Sequence, residues 1–379
     1  MTRKGSIKAG LLAIVLVLAG VAGAFAATTT VVAPTPAVAE TINTQGLDLH
    51  DGTIEKFGST YYMYGTQYGC GFRWGDPNGT TWCGFGVSSA PTLKGPWSTP
   101  KLLFDRYSIN PWTGMNWIDS CAAWSKGCFN PRMVQRTWGP KDGVYMLWFN
   151  APADYTRDKS NAYYVMGCNG PMGGCGAAAG GPHGSTRKPP LYICSGDGDF
   201  SIVKQDPDYP YILCTMPGPN ESLNQEKLDY WGTTGTNIGA RKLAGLTRVE
   251  SPGAYRDAAT GKWILTYSDP NCGYCAGNGT SYALANTLAG PWTAPVNTGA
   301  SADVQGRRAI SATSCGGQPR TVFTVDGQPY EWVDLWGVWN GDWRNQTGAG
   351  VLFAPLNYKP RPTPNGGVLA PQFAAWPCA

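Results

Sequence analysis

The stretch TRVESPGAY, residues 247–255, sets one carboxylate, Glu250, between an apolar approach and a Ser-Pro-Gly entry into a strand-like run. Only 14% of the 379 residues are charged, against roughly 25% in ordinary soluble proteins. A lone carboxylate entering an apolar strand is costly unless it is neutralised or paired. The same setting raises its pKa and makes it a proton donor near neutrality. Other positions carry complementary chemistry. Asp51, in His50-Asp51-Gly52, is a candidate base, and His50 beside it is suited to orient a ligand or fix a water. Gln318, in CGGQP, offers an amide that can hold a water or bond hydroxyls. Asp334 and Trp336 are candidates to line the same site. Each polar residue also has a plain structural reading. Glu250 would pair with Arg248 or Arg256, Asp51 would be a turn-forming Asp-Gly, His50 would be structural, and Asp334 would be a strand-end charge.

Residues so far apart need a fold that gathers them. Four stretches read as one strand type: GSTYYMYGT (58–66), DGVYMLWFN (142–150), TGKWILTYS (260–268) and DGQPYEWVDLW (326–336). Each has a Gly- or Asp-containing turn followed by aromatic and apolar residues. A shorter strand lies upstream of each: HDGTIEKF, NPRMVQRT, SPGAYRD and QPRTVFTV. Residues 85–100, FGVSSAPTLKGPWSTP, align without gaps on residues 280–295, TSYALANTLAGPWTAP. Repeated hairpins with almost no helical periodicity predict an all-β β-propeller. Residues 191–246 supply the least clear blade and bring the count to five. In such a fold the starts of the inner strands meet at one mouth of the central channel. Asp51, the FNPRM segment, Glu250 and the CGGQP segment occupy those starts.

The chain opens with a basic patch (Arg3, Lys4, Lys8), an apolar run at 11–21 and Ala24-Phe25-Ala26. This pattern predicts a cleaved signal peptide over 1–26, followed by a disordered leader over 27–40 and a single propeller over 41–379. The product is expected to be secreted, monomeric and free of the membrane after cleavage. Twelve cysteines behind such a signal predict disulfides. Sequence does not fix their connectivity, but spacing favours 70–83, 121–128, 168–175, 194–214, 272–275 and 315–378. Cys272-x-x-Cys275 has no second CxxC or histidine pair, so no metal or other cofactor is expected. A net charge of +4 without a Lys/Arg run gives no sign of nucleic-acid binding. GxSxG and GxxxxGK[ST] are absent, and His183 stands alone in a glycine-rich stretch.

The ordered motifs resemble glycoside hydrolase family 43, five-bladed propellers acting on arabinose-, xylose- and galactose-containing polysaccharides. HDGTIEKFGSTYYMYGT is similar to the family's opening His-Asp-Pro-x-Ile and Tyr-rich strand, with Gly52 in place of Pro. VESPGAYRD resembles its Glu-(Gly/Ala/Ser)-Pro segment. YALANTLAGPWTAP and GGQPRTVFTVDGQPYEWVDLW resemble the exo-β-1,3-galactanase branch, and VLFAPLNY resembles the closing motif. The resemblance implies an inverting, exo-acting hydrolase of galactan-, arabinogalactan-, arabinan- or xylan-type polymers. Glu250 would be the acid, and Asp51 or Gln318 would handle the water. Inverting enzymes hold two carboxyl groups about 6.5–9.5 Å apart. The chain also departs from the family pattern. Arg132 stands where the family has a pKa-modulating Asp, and Phe129 stands where the galactanase branch has Glu. Asp119 would substitute only if its loop folds inward. That missing acid keeps a non-catalytic carbohydrate-binding propeller open as the alternative. Trp112, Trp117 and Trp124 are candidates for a sugar platform, and loops 106–128 and 167–188 for closing one end of the cleft.

Overall fold

The computed structural model describes residues 42–44, 46–159, 161–176, 188–205, 207–217, 222–270, 272–293, 309–336, 346–362 and 368–378. The expected signal peptide, leader and His183 lie outside them, as does part of the 167–188 loop.

Five four-stranded antiparallel sheets form the body. Their innermost strands are His50–Phe57, Phe129–Gln135, Phe200–Gln205, Glu250–Arg256 and Gln318–Val325. Each inner strand packs against the next, and the last packs against the first, which closes a ring of five blades. Four of these are the short upstream strands anticipated above. The third blade, Phe200–Gln205 through Arg241–Thr247, comes from the stretch that was least legible. The gapless repeat is real in three dimensions. Its two copies contain Phe85–Ala90 and Gly279–Ala285, the third strands of blades one and four. The N-terminal strand Ile42–Asn43 pairs with Val351–Pro355 and completes blade five.

The aromatic and β-branched residues of these strands pack between blades. An apolar cluster fills each of the five interfaces. Trp148 and Phe200 join blades two and three. Ile264 and Val333 join blades four and five. Trp332, Phe323 and Ile54 close blade five onto blade one. All six disulfides occur with the pairing read from spacing. The Cys315–Cys378 bridge spans 63 residues and ties the C-terminal tail to blade five. In the chain-entropy account a loop of that size contributes about 4 kcal/mol.

The interior also buries polar residues, among them a carboxyl group in blade five. Glu331, on the second strand of blade five, is fully buried. Neither carboxyl oxygen has a hydrogen-bond partner among the described residues. Burial pushes its pKa well above the ordinary carboxylate range. Above the unfolded pKa the unfolded chain ionises while the folded one stays protonated, so this group removes stability as pH rises. Glu331→Gln is therefore expected to raise Tm by a few degrees at pH 7 and to have no such effect at pH 4. Thermal unfolding followed at both pH values checks this.

Candidate functional site

Three inner strands begin with the same local irregularity. The ladder slips between His50 and Thr53, between Phe129 and Arg132, and between Glu250 and Gly253. The second residue of each strand takes a positive φ: Asp51 at 49°, Asn130 at 55° and Ser251 at 56°. Such values are uncommon away from glycine. Bulges of this kind re-aim side chains next to functional sites. Here they turn Asp51, Asn130 and Ser251 out of the ladder toward the channel. Gly52 also has a local cause, because a Cβ at that position would run into the carbonyl oxygen of Tyr64 on the neighbouring strand.

The strand starts converge on one cavity of about 420 Å³. Asp51, Asp199, Glu250, Gln318 and Arg320 line its polar part, and Tyr68, Trp74, Phe129, Tyr274 and Trp336 its aromatic part. Asp51, Glu250 and Gln318 thus share a single pocket. Trp336 lies in its wall.

Glu250 does not pair with a neighbouring arginine. Its Oε1 accepts from the Cys272 backbone N–H at 3.0 Å and from the Gln318 Nε2 at 2.6 Å. Gln318 donates also to the Cys272 carbonyl at 2.6 Å, and its Oε1 accepts from the Trp336 indole N–H at 2.6 Å. Because an indole nitrogen only donates, this contact fixes which end of the Gln318 amide faces Glu250. Burial first, then the nearby Asp199 charge, push the Glu250 pKa up to about 8, against the opposing pull of Arg320.

Asp51 is fully buried beneath the cavity. Its Oδ1 accepts from the Thr66 hydroxyl at 2.7 Å, while Oδ2 has no partner among the described residues. Burial raises its pKa to about 7. Arg320 opposes this most strongly, and Asp334 adds to it. Arg132, at the position of the absent family Asp, serves this residue from behind. Its guanidinium donates to the backbone carbonyls of Asp51 at 2.7 Å and of Gly52 at 2.5 Å.

The remaining candidates divide. Asp334 is fully buried and does not line the cavity. It accepts the Asp51 backbone N–H at 2.9 Å and the Trp332 indole N–H at 3.0 Å. His50 is likewise buried behind the floor. Its Nε2 bonds the Gln346 carbonyl at 2.9 Å and therefore carries the hydrogen. Its Nδ1 lies 3.6 Å from Asp334. Both are placed to brace Asp51 rather than to touch a ligand, which corrects their assignment as ligand-binding residues. Asp119 is exposed on the short helix Ile118–Ala122 and does not reach the cavity, so its loop does not supply the missing acid. The tryptophan platform also needs correcting. Trp117 is core, Trp112 packs on it, and Trp124 is exposed with Arg157 above its ring. The exposed aromatic at the cavity is Trp74, on the Cys70–Cys83 loop, whose backbone N–H bonds the Tyr274 hydroxyl at 2.9 Å.

The second acid comes from a place the sequence reading passed over. Asp199 precedes the inner strand of blade three, in SGDGDF. It accepts from Asn130 Nδ2 at 2.8 Å, Arg320 at 2.9 Å and the Ser251 hydroxyl at 2.5 Å. It stands one residue before its inner strand, close to where Glu250 opens its own strand and Asp51 is second in its own, but blade three lacks the hairpin pattern by which the other four were read. Asp197 and Lys126 also line the cavity.

No protein-family model matches the sequence, and no curated protein is similar enough to match. Solved structures do match in three dimensions. An exo-β-1,3-galactanase from Phanerochaete chrysosporium, bound to β-1,3-galactotriose, superposes with a TM-score of 0.59 at 17% identity, over 88% of this chain and 67% of that one. A GH43 β-1,3-galactosidase with galactodeoxynojirimycin gives 0.58 at 12% identity, over 88% of this chain and 95% of its own. The chain shares their fold. An endo-1,4-β-xylanase from Bacteroides thetaiotaomicron also matches, with a TM-score of 0.51 at 16% identity, over 86% and 94% of the two chains. The chain spans about two thirds of the length of the fungal galactanase.

Proposed function

We propose that the protein is a secreted, inverting, exo-acting glycoside hydrolase of galactan- or arabinogalactan-type polysaccharides, with arabinose- and xylose-containing polymers as the second substrate class. The observation that carries this reading is the placement of two carboxyl groups of different character, Asp51 and Glu250, on one aromatic-lined cavity. Asp51 loses its proton at about 7 and Glu250 at about 8. Burial holds both above the ordinary carboxylate range, Glu250 the higher, which suits Glu250 to the acid's role and Asp51 to the base's.

Glu250 donates its proton to the glycosidic oxygen as the bond to the anomeric carbon breaks. Asp51 takes a proton from water through its unpartnered Oδ2, and that water attacks the opposite face of the sugar. Gln318 holds the acid. Both of its N–H groups are committed to Glu250 and Cys272, which favours Asp51 as the base. Burial first, and then the charge of Asp199, keep Glu250 protonated. Trp74 and Tyr274 offer ring faces to sugar C–H groups. The cavity has the size of a small-molecule pocket rather than a long groove, which supports release of terminal sugars. The six disulfides support an oxidising, extracellular setting.

The test is sugar release from β-1,3-galactan, arabinan and arabinoxylan, with the anomer of the first product read by NMR. Release of the inverted anomer from at least one is expected. A retained anomer overturns the mechanism. Retardation in polysaccharide gels without release from any substrate would instead favour a non-catalytic carbohydrate-binding propeller.

A further inference from the structure

The wall beside Glu250 is a tight loop whose backbone, rather than its side chains, faces the carboxylate. Cys272 contributes both of its peptide groups. Its N–H donates to Glu250 Oε1 at 3.0 Å, and its carbonyl accepts from Gln318 Nε2 at 2.6 Å, so the acid and its amide partner hang from one residue. Two devices fix that residue. The first is the Cys272–Cys275 disulfide, which closes the loop three residues on. The second is Asn278, whose Nδ2 lies 2.8 Å from Cys272 Sγ, 2.6 Å from the Pro270 carbonyl and 3.0 Å from the Ser268 hydroxyl. Asn278 is itself clamped to blade five. Its N–H bonds the Gly317 carbonyl at 3.0 Å, and its carbonyl accepts from the Ser314 hydroxyl at 2.5 Å.

We propose that Cys272 is a positioning residue for the catalytic acid and that its disulfide with Cys275 makes the acid's placement dependent on oxidation. The inference rests on reading Glu250 as that acid. Both sulfurs belong to half-buried residues, and Cys272 lines the cavity. By contrast Cys121, Cys128, Cys194 and Cys214 are fully buried, so a reductant in solution meets the 272–275 bridge more readily than those pairs. Reduction breaks the S–S bond. A dithiol such as dithiothreitol supplies two electrons and closes to its own cyclic disulfide, and each protein sulfur leaves as a thiol. The loop then loses its covalent closure. The Cys272 N–H favours the ionised form of Glu250, since a hydrogen bond to the charged form lowers a pKa. Slackening it moves the acid's titration upward, whereas an ordinary loss of folding would expose Glu250 to water and move it down toward the usual carboxylate range.

The experiment labels glutamate carboxyl carbons with ¹³C and assigns Glu250 by Glu250→Gln. Its titration is then followed in the oxidised protein, in protein reduced by dithiothreitol and mapped by alkylation, and in the Cys272→Ser/Cys275→Ser double variant. The Glu250 midpoint is expected to rise in both altered forms. The kcat on an unactivated substrate should fall about 10- to 100-fold, a partial loss against the 10²- to 10⁴-fold that proton transfer is worth, with little change in KM, and reoxidation should restore both. A midpoint that stays put or falls in the reduced protein overturns the proposal, whether or not the double variant folds. If the midpoint rises but the wild-type protein hydrolyses no glycoside, the positioning holds and the hydrolase reading fails. If the protein hydrolyses and the midpoint does not move, only the positioning fails.

Discussion

Glu250→Gln should abolish most turnover of natural glycans, with a loss of about 10²- to 10⁴-fold in kcat, while aryl glycosides with acidic leaving groups lose far less. The replacement is isosteric. Its carbonyl oxygen still accepts from the Cys272 N–H and the Gln318 amide, the two partners of Glu250 Oε1, so the site geometry is preserved. Only the transferable proton is gone. A sugar alkoxide leaves poorly without that proton, whereas a nitrophenolate leaves without help. Rates on a β-1,3-linked disaccharide and on a series of aryl glycosides, plotted against leaving-group pKa, check the point. A loss that is equal across the series would mean that Glu250 acts on something other than the departing oxygen.

The position of Glu250 and the fold were legible for different physical reasons. A carboxylate at the start of an apolar strand is expensive, and the expense shows in the composition around it. Glu250 and Asp51 both stood out this way, and the Tyr-rich second strands gave four blades by repetition. Asp199 satisfies the same rule but sits before Phe200–Gln205, whose partner strand Asp208–Met216 carries the pattern DYPYILCTM in place of the repeated one. The site residue was hidden because its blade was. His50 and Asp334 were misplaced for another reason. Alternation along a strand says that a side chain points inward, but not how deep in the channel it stops. Both lie one layer below the cavity, where they hold the backbone of Asp51 and the ring of Trp336 instead of a ligand. The tryptophans of the 106–128 loop illustrate the usual fate of large aromatics, since Trp117 is entirely buried. Sequence offered nothing to separate it from Trp74, which a disulfide loop holds at the cavity. The disulfides were readable from spacing because five of the six join cysteines at most 20 residues apart.

The choice of base gives the second large effect. Asp51→Asn should slow natural and aryl substrates alike by about 10²- to 10⁴-fold, because water must be activated whatever group departs. The pH profile carries the same assignment. On the proposed mechanism, activity requires Asp51 ionised and Glu250 protonated. It should therefore rise as pH passes about 7, where Asp51 loses its proton, and fall as pH passes about 8, where Glu250 loses its own. The two limbs lie close together, so they report the titration of the pair and the optimum is narrow. In Asp51→Asn the ascending limb should vanish from whatever activity remains. Gln318→Ala should behave differently. It removes a donor that favours ionised Glu250, so the descending limb should move to higher pH with only a moderate loss of rate. The opposite pattern, with Gln318→Ala inactive and Asp51→Asn near wild type with its ascending limb intact, would transfer the water-activating role to the amide. The contacts of Gln318 argue against that outcome. Its carbonyl oxygen is held by the Trp336 indole and its nitrogen by Glu250 and Cys272, which leaves the free, buried Oδ2 of Asp51 as the acceptor to which a water proton can go.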